Sequence, residues 1–411
     1  KEDVANRKNQ VTIVEKKNEA AEAKYKAKLA EIKKQEEALK AKGVFADNDQ
    51  FTIYGKLDES KKGSLDYYSG LSVVFKNKDN NLETVNGGLD ANSNTTLELV
   101  DKIKVDTERE NVFKVEKASE GWDNYAGHVL TDIQKGSTFI LHNVGQTNSG
   151  KTISAKFTSR NTPKARFPLG AVNRGSKTSL WLWWDKSKIQ NGGKSEVGFL
   201  PHNYLDFEWD IEYFDEETKK PLNLGTISAY SDIDYTQSIR HTYDSKDNVG
   251  TVINPPGSKV IETTVNGERV WEGIKSDGTW THDDETGVHD YKTGDPIYTN
   301  VHDVSAVPEG SILSVGSGKV HHLSYYSDPE LRSRTDAEMA AYRRYYDNER
   351  DSKGLSRYTD EALYRADYAF QLWGAKSVVN TIVVPPKPEY DAIPNKVDPP
   401  TVNVQYTNLK T

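Results

Sequence analysis

Cysteine is absent from the 411 residues, and methionine occurs once, at Met339. No disulfide, thiolate nucleophile or cysteine-ligated metal centre can form from such a chain. Long apolar runs are missing too: nothing approaches the roughly 20 residues a helix needs to cross a bilayer. Hydrophobic residues make up 35% of the sequence, on the low side for a globular protein. No signal-peptide pattern opens the chain and no anchoring segment closes it, so we read it as a piece of a longer protein. Basic residues are outnumbered, 54 Lys and Arg against 62 Asp and Glu, for a net charge of -8. That balance is a poor match to a phosphate backbone, and no nucleic-acid partner is expected. Gly, Asn, Asp, Ser, Thr and Tyr are plentiful, as in β-rich extracellular domains with long polar loops. A cysteine-free chain of that kind suits a Gram-positive surface better than a eukaryotic secreted domain, which commonly uses disulfides.

The first 42 residues follow a helical period. Val4, Val11, Tyr25, Ile32 and Leu39 share one heptad column, with Asn18 as its polar member, and Val14, Ala21 and Leu29 lie beside it. Ala, Lys and Glu fill the remaining positions and favour helix, and so narrow an apolar seam calls for a partner. Gly43 is a natural stop. Two readings fit: a solvated helix packed on its own domain, or the end of a stalk.

From about residue 50 to 325 the period changes to two. "FTIYGKL", "LSVVFKN", "TLELV", "STFILHNV", "KTISAKFTS", "LWLWW", "LDFEWDIEYFD", "GTISAYSD", "KVIETTV" and "SILSVGS" alternate, separated by Gly, Asn and Asp clusters. Many short alternating strands with turn signals predict a mainly β protein of the sandwich class rather than βαβ units. A helical insertion is expected at about 328–352. There Ser327 and Glu330 have capping-box spacing, Pro329 sits early in the turn, and Gly354 follows the end. Two late strands, "YRADYAFQLWG" and "KSVVNTIVV", lead to Pro385-Pro386, and the segment from 385 to 411 reads as a Pro-rich extended strip, polyproline II in part. The strip is expected to run back along the N-terminal helix. The organisation is thus 1–43 helix, 44–384 β domain and 385–411 strip.

Three stretches carry a family resemblance: "AEAKYKAKLAEIKKQ", "FEWDIEYFDEETKKPLNLGTISAYSDIDYTQSI" and "VVNTIVVPPKPEYDAIPNK". In that order they resemble the alanine-rich helix, the variable domain and the exit into the proline-rich region of streptococcal adhesins of the glucan-binding protein C/antigen I/II family. Only one repeat-like helix is visible, whereas the long members have many. The resemblance implies a large lectin-like β-supersandwich with an N-terminal stalk helix. It implies a cell-wall-anchored bacterial surface protein that binds α-glucan (dextran) and promotes aggregation. For the wider family it implies salivary glycoprotein ligands and, often, a bound metal ion.

A sugar site needs flat aromatic faces for the apolar side of a pyranose and polar groups for its hydroxyls. In "SLWLWWDKSK", Trp181 and Trp183 share one face of a strand and are expected to fill the core between sheets. Trp184 points the other way, beside Asp185, and is the candidate outer ring. Trp271 and Trp280, with Trp184 the candidates for sugar stacking, lie in the long polar stretch 269–295 with Asp277, Asp283, Asp284 and Asp290, oxygen ligands that suit Ca²⁺, although the spacing is not that of an EF-hand. In "SDIDYTQS", Asp232 and Asp234 fall on one side of an extended segment. Two carboxylates that close repel unless solvated, paired or metal-bound. The resemblance favours Asp232 and Asp234 as holders of a structural Ca²⁺, with Tyr235 and Gln237 as sugar contacts. His282, His289 and His321-His322 match no zinc spacing. Gly145 to Thr152 satisfies the P-loop formula to the letter. Yet "KTISAKFTS" continues as an alternating strand, so no helix N-terminus would face a phosphate, and we reject that motif. No Ser-His-Asp spacing is identifiable, and acidic residues are too numerous for one glycosidase pair to stand out. The chain is therefore expected to bind rather than to catalyse, with no membrane insertion of its own. Its ligand is expected to be α-glucan, the alternative being a host salivary glycoprotein.

Overall fold

The computed structural model describes residues 1–76, 82–86, 88–111, 125–164, 178–202, 204–231, 233, 237–244, 250–265, 267–273, 307–326, 370–371, 381–382 and 387–394. The chain divides into two compact units. One comprises 1–41, 78–80 and 384–411, and the other 42–77 and 81–383. The first and last segments of the sequence therefore belong to one unit. The expected helical insertion at 328–352 lies outside the described residues.

The first unit contains α1 (Glu2–Ala41). Helix-favouring Ala, Lys and Glu are supplemented by i,i+4 ion pairs such as Arg7 with Asp3 at 3.3 Å and Lys26 with Glu22 at 3.6 Å. All six positions of the heptad column, Val4 to Leu39, are sheltered from solvent, and Val11, Ile32 and Leu39 are buried. Asn18 breaks the apolar column for a reason visible in the structure. Its amide clasps the backbone of Asp391: Nδ2 donates to the Asp391 carbonyl at 2.9 Å, and the Asp391 N–H donates to Oδ1 at 3.0 Å. Lys17 adds an ion pair to the Asp391 carboxylate at 2.5 Å. At this level the C-terminal strip lies beside the helix, as expected. A single polar residue in an apolar seam is a device that sets register.

The second unit is a stack of β-sheets. In chain order the strands are β1 (Val44–Asp47), β2 (Phe51–Tyr54), β3 (Ser72–Phe75), β4 (Leu82–Asn86), β5 (Thr96–Asp101), β6 (Lys104–Val105) and β7 (Tyr125–Thr131). Next are β8 (Thr138–Thr147), β9 (Thr152–Ser159), β10 (Ser179–Asp185), β11 (Gly198–His202), β12 (Asp206–Asp215), β13 (Asn223–Tyr230) and β14 (Ser238–Asp244). Then follow β15 (Gly250–Ile253), β16 (Ile261–Val265), β17 (Glu268–Glu272), β18 (Ile312–Gly318), β19 (Val320–Tyr326), β20 (Phe370–Gln371) and β21 (Thr381–Ile382). Each of the ten alternating runs in the sequence overlaps one of these strands. They form a four-stranded sheet (β1-β2-β3-β21), a five-stranded sheet (β20-β11-β10-β7-β6) and a twelve-stranded sheet. The order in the last is β15-β18-β13-β4-β8-β9-β12-β19-β14-β17-β16, with β5 pairing β8. All three sheets contribute to one continuous apolar core, as in a β-sandwich. Strand β12 shows the logic: Phe207, Trp209, Ile211 and Tyr213 point inward and are buried, while the acidic residues between them point out. Rings carry the contact between sheets. Phe157 of β9 stacks on Phe139 of β8 at 4.7 Å and reaches Phe199 of β11 at 5.7 Å.

Strand β10 corrects one expectation. Trp181 and Trp183 are buried, as expected, but not in this main core. Leu180 and Leu182 belong to the core, and Trp184 packs partly against it, so the two buried indoles occupy the opposite face of the five-stranded sheet. Strand alternation separates the rings correctly; the leucines decide which face meets the core. The buried indoles need a floor without side chains. Trp183 is paired with Gly127 on β7 and Gly198 on β11. A Cβ at Gly198 would fall inside the Trp183 indole, and one at Gly127 would fall against Trp181 Nε1.

The twelve-stranded sheet curls until strands distant in its order meet side chain to side chain. His321 Nε2 donates to the Leu224 carbonyl at 3.0 Å, which leaves its Nδ1 to accept from His241 Nε2 at 3.1 Å. His241 Nδ1 then accepts from the Tyr230 hydroxyl at 2.7 Å. Tyr243 stacks on His241 at 4.3 Å and shares a hydrogen bond with Ser314 of β18 at 3.1 Å. The chain of bonds runs in one direction with both imidazoles neutral. Burial holds both below the usual histidine range, His241 far below and His321 down to about 4.

Two outcomes follow from this packing. Gly198→Ala is expected to destabilise the fold by about 1–3 kcal/mol through overpacking. Much of that loss should disappear in a Trp183→Leu background, where no indole lies on the floor. Equal losses in both backgrounds, measured by urea unfolding, would contradict the packing described. The second outcome concerns acid. The buried imidazoles have folded pKa values below the unfolded value of about 6.5, so the unfolded chain takes up protons first and stability falls as pH drops below that value. His321 alone contributes roughly 3 kcal/mol between pH 6.5 and 4. Unfolding midpoints measured from pH 7 to 5, above most carboxylate titration, should decline steadily; a flat profile would show that the imidazoles are not held neutral.

Candidate functional site

Trp184 stands at the rim of the five-stranded sheet because its strand ends there. The Asp185 carboxylate accepts from the Ser187 N–H at 2.8 Å and the Ser187 hydroxyl at 2.6 Å, capping a single helical turn at Lys186–Ile189. Opposite Trp184 on β7 is Ala126, too small to cover an indole. The half-buried ring rests partly on the main core. Beside it is His128, its ring 5.9 Å away centre to centre and tilted by 58°. His128 Nδ1 lies 3.6 Å from a carboxylate oxygen of Glu110, on the helical turn at 107–111. Lys188 and Glu196 form an ion pair at 3.3 Å on the segment that follows Trp184. The rim thus gathers an apolar ring face, an imidazole and a carboxylate.

A second aromatic position lies at the β14–β17–β16 edge of the twelve-stranded sheet. Trp271 is paired with Ile239 on one side and Glu262 on the other, and is half-buried against the core. The Arg269 guanidinium sits 5.7 Å from the centre of its ring, held there by two bonds to Glu262 at 2.6 and 2.7 Å. That ion pair holds the Glu262 carboxyl below its usual range. Gln237 is next to this edge. Its carbonyl accepts from the Gly273 N–H at 2.9 Å, and its side chain is buried. The structure therefore places Gln237 and Trp271 on neighbouring strand ends of one sheet, and Trp184 on another sheet. Asp232, Asp234, Tyr235 and Trp280 lie outside the described residues, as do Asp277, Asp283, Asp284 and Asp290. Among the described residues no group of three or more His, Asp or Glu side chains could hold a metal ion.

The P-loop formula falls on the β8–β9 hairpin, as its rejection requires, and Lys151 pairs with Glu83 at 2.6 Å. His321 and His322 point to opposite faces of β19: the first is in the buried chain, and the second binds Asp210 at 2.6 Å. Sequence reasoning missed a charged cluster around His142. Its Nε2 meets Glu98 at 2.5 Å and its Nδ1 meets Glu216 at 2.8 Å. Burial opposes the charged imidazole, but the two carboxylates prevail and raise its pKa above the ordinary histidine value. Glu216, which also accepts from Lys219 and Ser154, is lowered to about 2 against its own burial penalty. The two carboxylates favour the imidazolium form, which has no lone pair to offer a metal, so the cluster reads as a salt-bridged group. Its three members come from β5, β8 and the turn after β12, and no spacing in the sequence announces them.

No known protein-family profile matches this chain, and no curated protein matches it. Among solved structures it is similar to the N-terminal domain of the Streptococcus gordonii adhesin Sgo0707, at 8% identity and a TM-score of 0.31. The match covers 70% of this chain and 63% of that one. At that score the likeness carries no weight for fold or function. Among the described residues, no helix is long and apolar enough to cross a membrane.

Proposed function

We propose that this chain is the ligand-binding part of a bacterial surface adhesin, and that it binds α-glucan without cleaving it. Trp184 carries this reading. Two of the three tryptophans of β10 are buried, and the third is left half-buried at a sheet rim beside an imidazole and a carboxylate. A large ring kept partly in solvent and ringed by hydrogen-bonding groups suits a pyranose, whose apolar face stacks while its hydroxyls bond sideways. The order of helix, β domain and Pro-rich strip, which resembles the glucan-binding branch of the antigen I/II adhesins, supports a wall-anchored surface role. Trp271 is less suited, because Arg269 already lies over its ring. A Ca²⁺ held by Asp232 and Asp234 would be structural.

Dextran binding tests this directly. The protein should bind dextran saturably and release no reducing ends. Trp184→Ala should weaken binding about tenfold or more, the scale of one aromatic anchor, while near-ultraviolet circular dichroism shows an intact core. The same titration in Ca²⁺ and in chelator should show tighter binding or a higher melting temperature with the ion. Reducing-end release would make the chain an enzyme, and binding to salivary glycoprotein alone would replace the ligand.

A further inference from the structure

We infer that His128 and Glu110 complete a sugar subsite with Trp184, in which His128 bonds a pyranose hydroxyl and Glu110 sets its orientation. The inference rests on the reading of Trp184 given above and names the groups that would give that site its polar contacts. The register places His128 directly opposite Leu182, on the same sheet face as Trp184. The 58° tilt means that the imidazole does not stack on the indole but stands beside it. A hexose laid on the indole would turn its equatorial hydroxyls toward such an edge. His128 keeps 38% of its side chain in solvent, so it is reachable, whereas Glu110 keeps only 11% and is held in place. The Glu110 carboxylate lies 3.6 Å from Nδ1, beyond a hydrogen bond but near enough for its charge to favour the N–H on that side, so Nε2 is the nitrogen assigned to the ligand. A carboxylate behind one ring nitrogen commonly fixes what the other does. A carboxylate so placed also disfavours anionic ligands, which points to a neutral glycan.

The alternative is that His128 only props the indole. His128→Phe keeps a ring against Trp184 and removes the hydrogen-bonding nitrogen, and His128→Gln keeps a polar group without the ring. Isomaltotriose binding should fall about tenfold in His128→Phe, with unchanged Trp fluorescence in the free protein, and recover in part in His128→Gln. Glu110→Gln should weaken binding by a smaller factor. In the wild-type protein, the ¹⁵N resonance of His128 Nε2 should shift on saturation with the trisaccharide, a readout that needs no variant to fold. If wild type binds and Trp184→Ala does not, but His128→Phe binds normally and the resonance stays still, this inference is overturned while the glucan reading stands. If wild type binds no dextran, or Trp184→Ala binds as wild type does, the reading of the Trp184 site fails and this inference falls with it.

Discussion

The hydrogen-bond chain from Tyr230 through His241 and His321 to the Leu224 carbonyl is the constraint on which the larger sheet depends. It joins β13 to the paired strands β14 and β19, neither of which is its neighbour in the hydrogen-bonded order. Buried polar groups are costly unless every donor finds an acceptor. Here the donors can be matched in one direction only, because the carbonyl at the end cannot donate. The curl of the sheet, its register and the neutrality of two imidazoles are therefore one requirement. Tyr213 and Tyr243 pack edge-on to His321 at 4.9 and 4.7 Å and exclude water from the bonds they surround.

A second constraint acts on the five-stranded sheet, where two indoles lie over glycines. Burying two adjacent large rings on one side of β10 requires bare backbone on β7 and β11, and Gly127 and Gly198 supply it. The same strand then presents its leucines and Trp184 to the other side. What distinguishes Trp184 is position: the strand ends one residue later, its cross-strand partner is alanine, and its ring is left half-buried. Fold and candidate site are linked through that one strand, and through Phe199 on β11 the sheet is tied to Phe157 of the larger one.

Those strands whose inward residues are apolar were legible in the sequence, β12 and β18 most clearly. Strands β14 and β19 were not, because "SIRHTYD" and "VHHLSYY" turn His241, Tyr243, His321 and Tyr325 inward, and polar side chains blur a period-two signal. Strand β7 was hidden by Gly127, which reads as a breaker until the indole above it is known. In α1 the heptad column identified the sheltered stripe, and Asn18, its apparent flaw, is the residue that meets Asp391. The candidate site was half legible. Trp184 could be singled out by its place beside charges at a strand end, but His128 and Glu110 reach it from other elements and His142 meets its glutamates across three. Such neighbours are set by register, which a single sequence does not display.

The central claim is that the half-buried face of Trp184 receives a glucose ring. A crystal of the protein soaked in isomaltotriose measures this most directly. The account predicts a pyranose stacked on Trp184, with a hydroxyl within hydrogen-bonding distance of His128 Nε2. A trisaccharide bound elsewhere, with the Trp184 face bare at full occupancy, would contradict it.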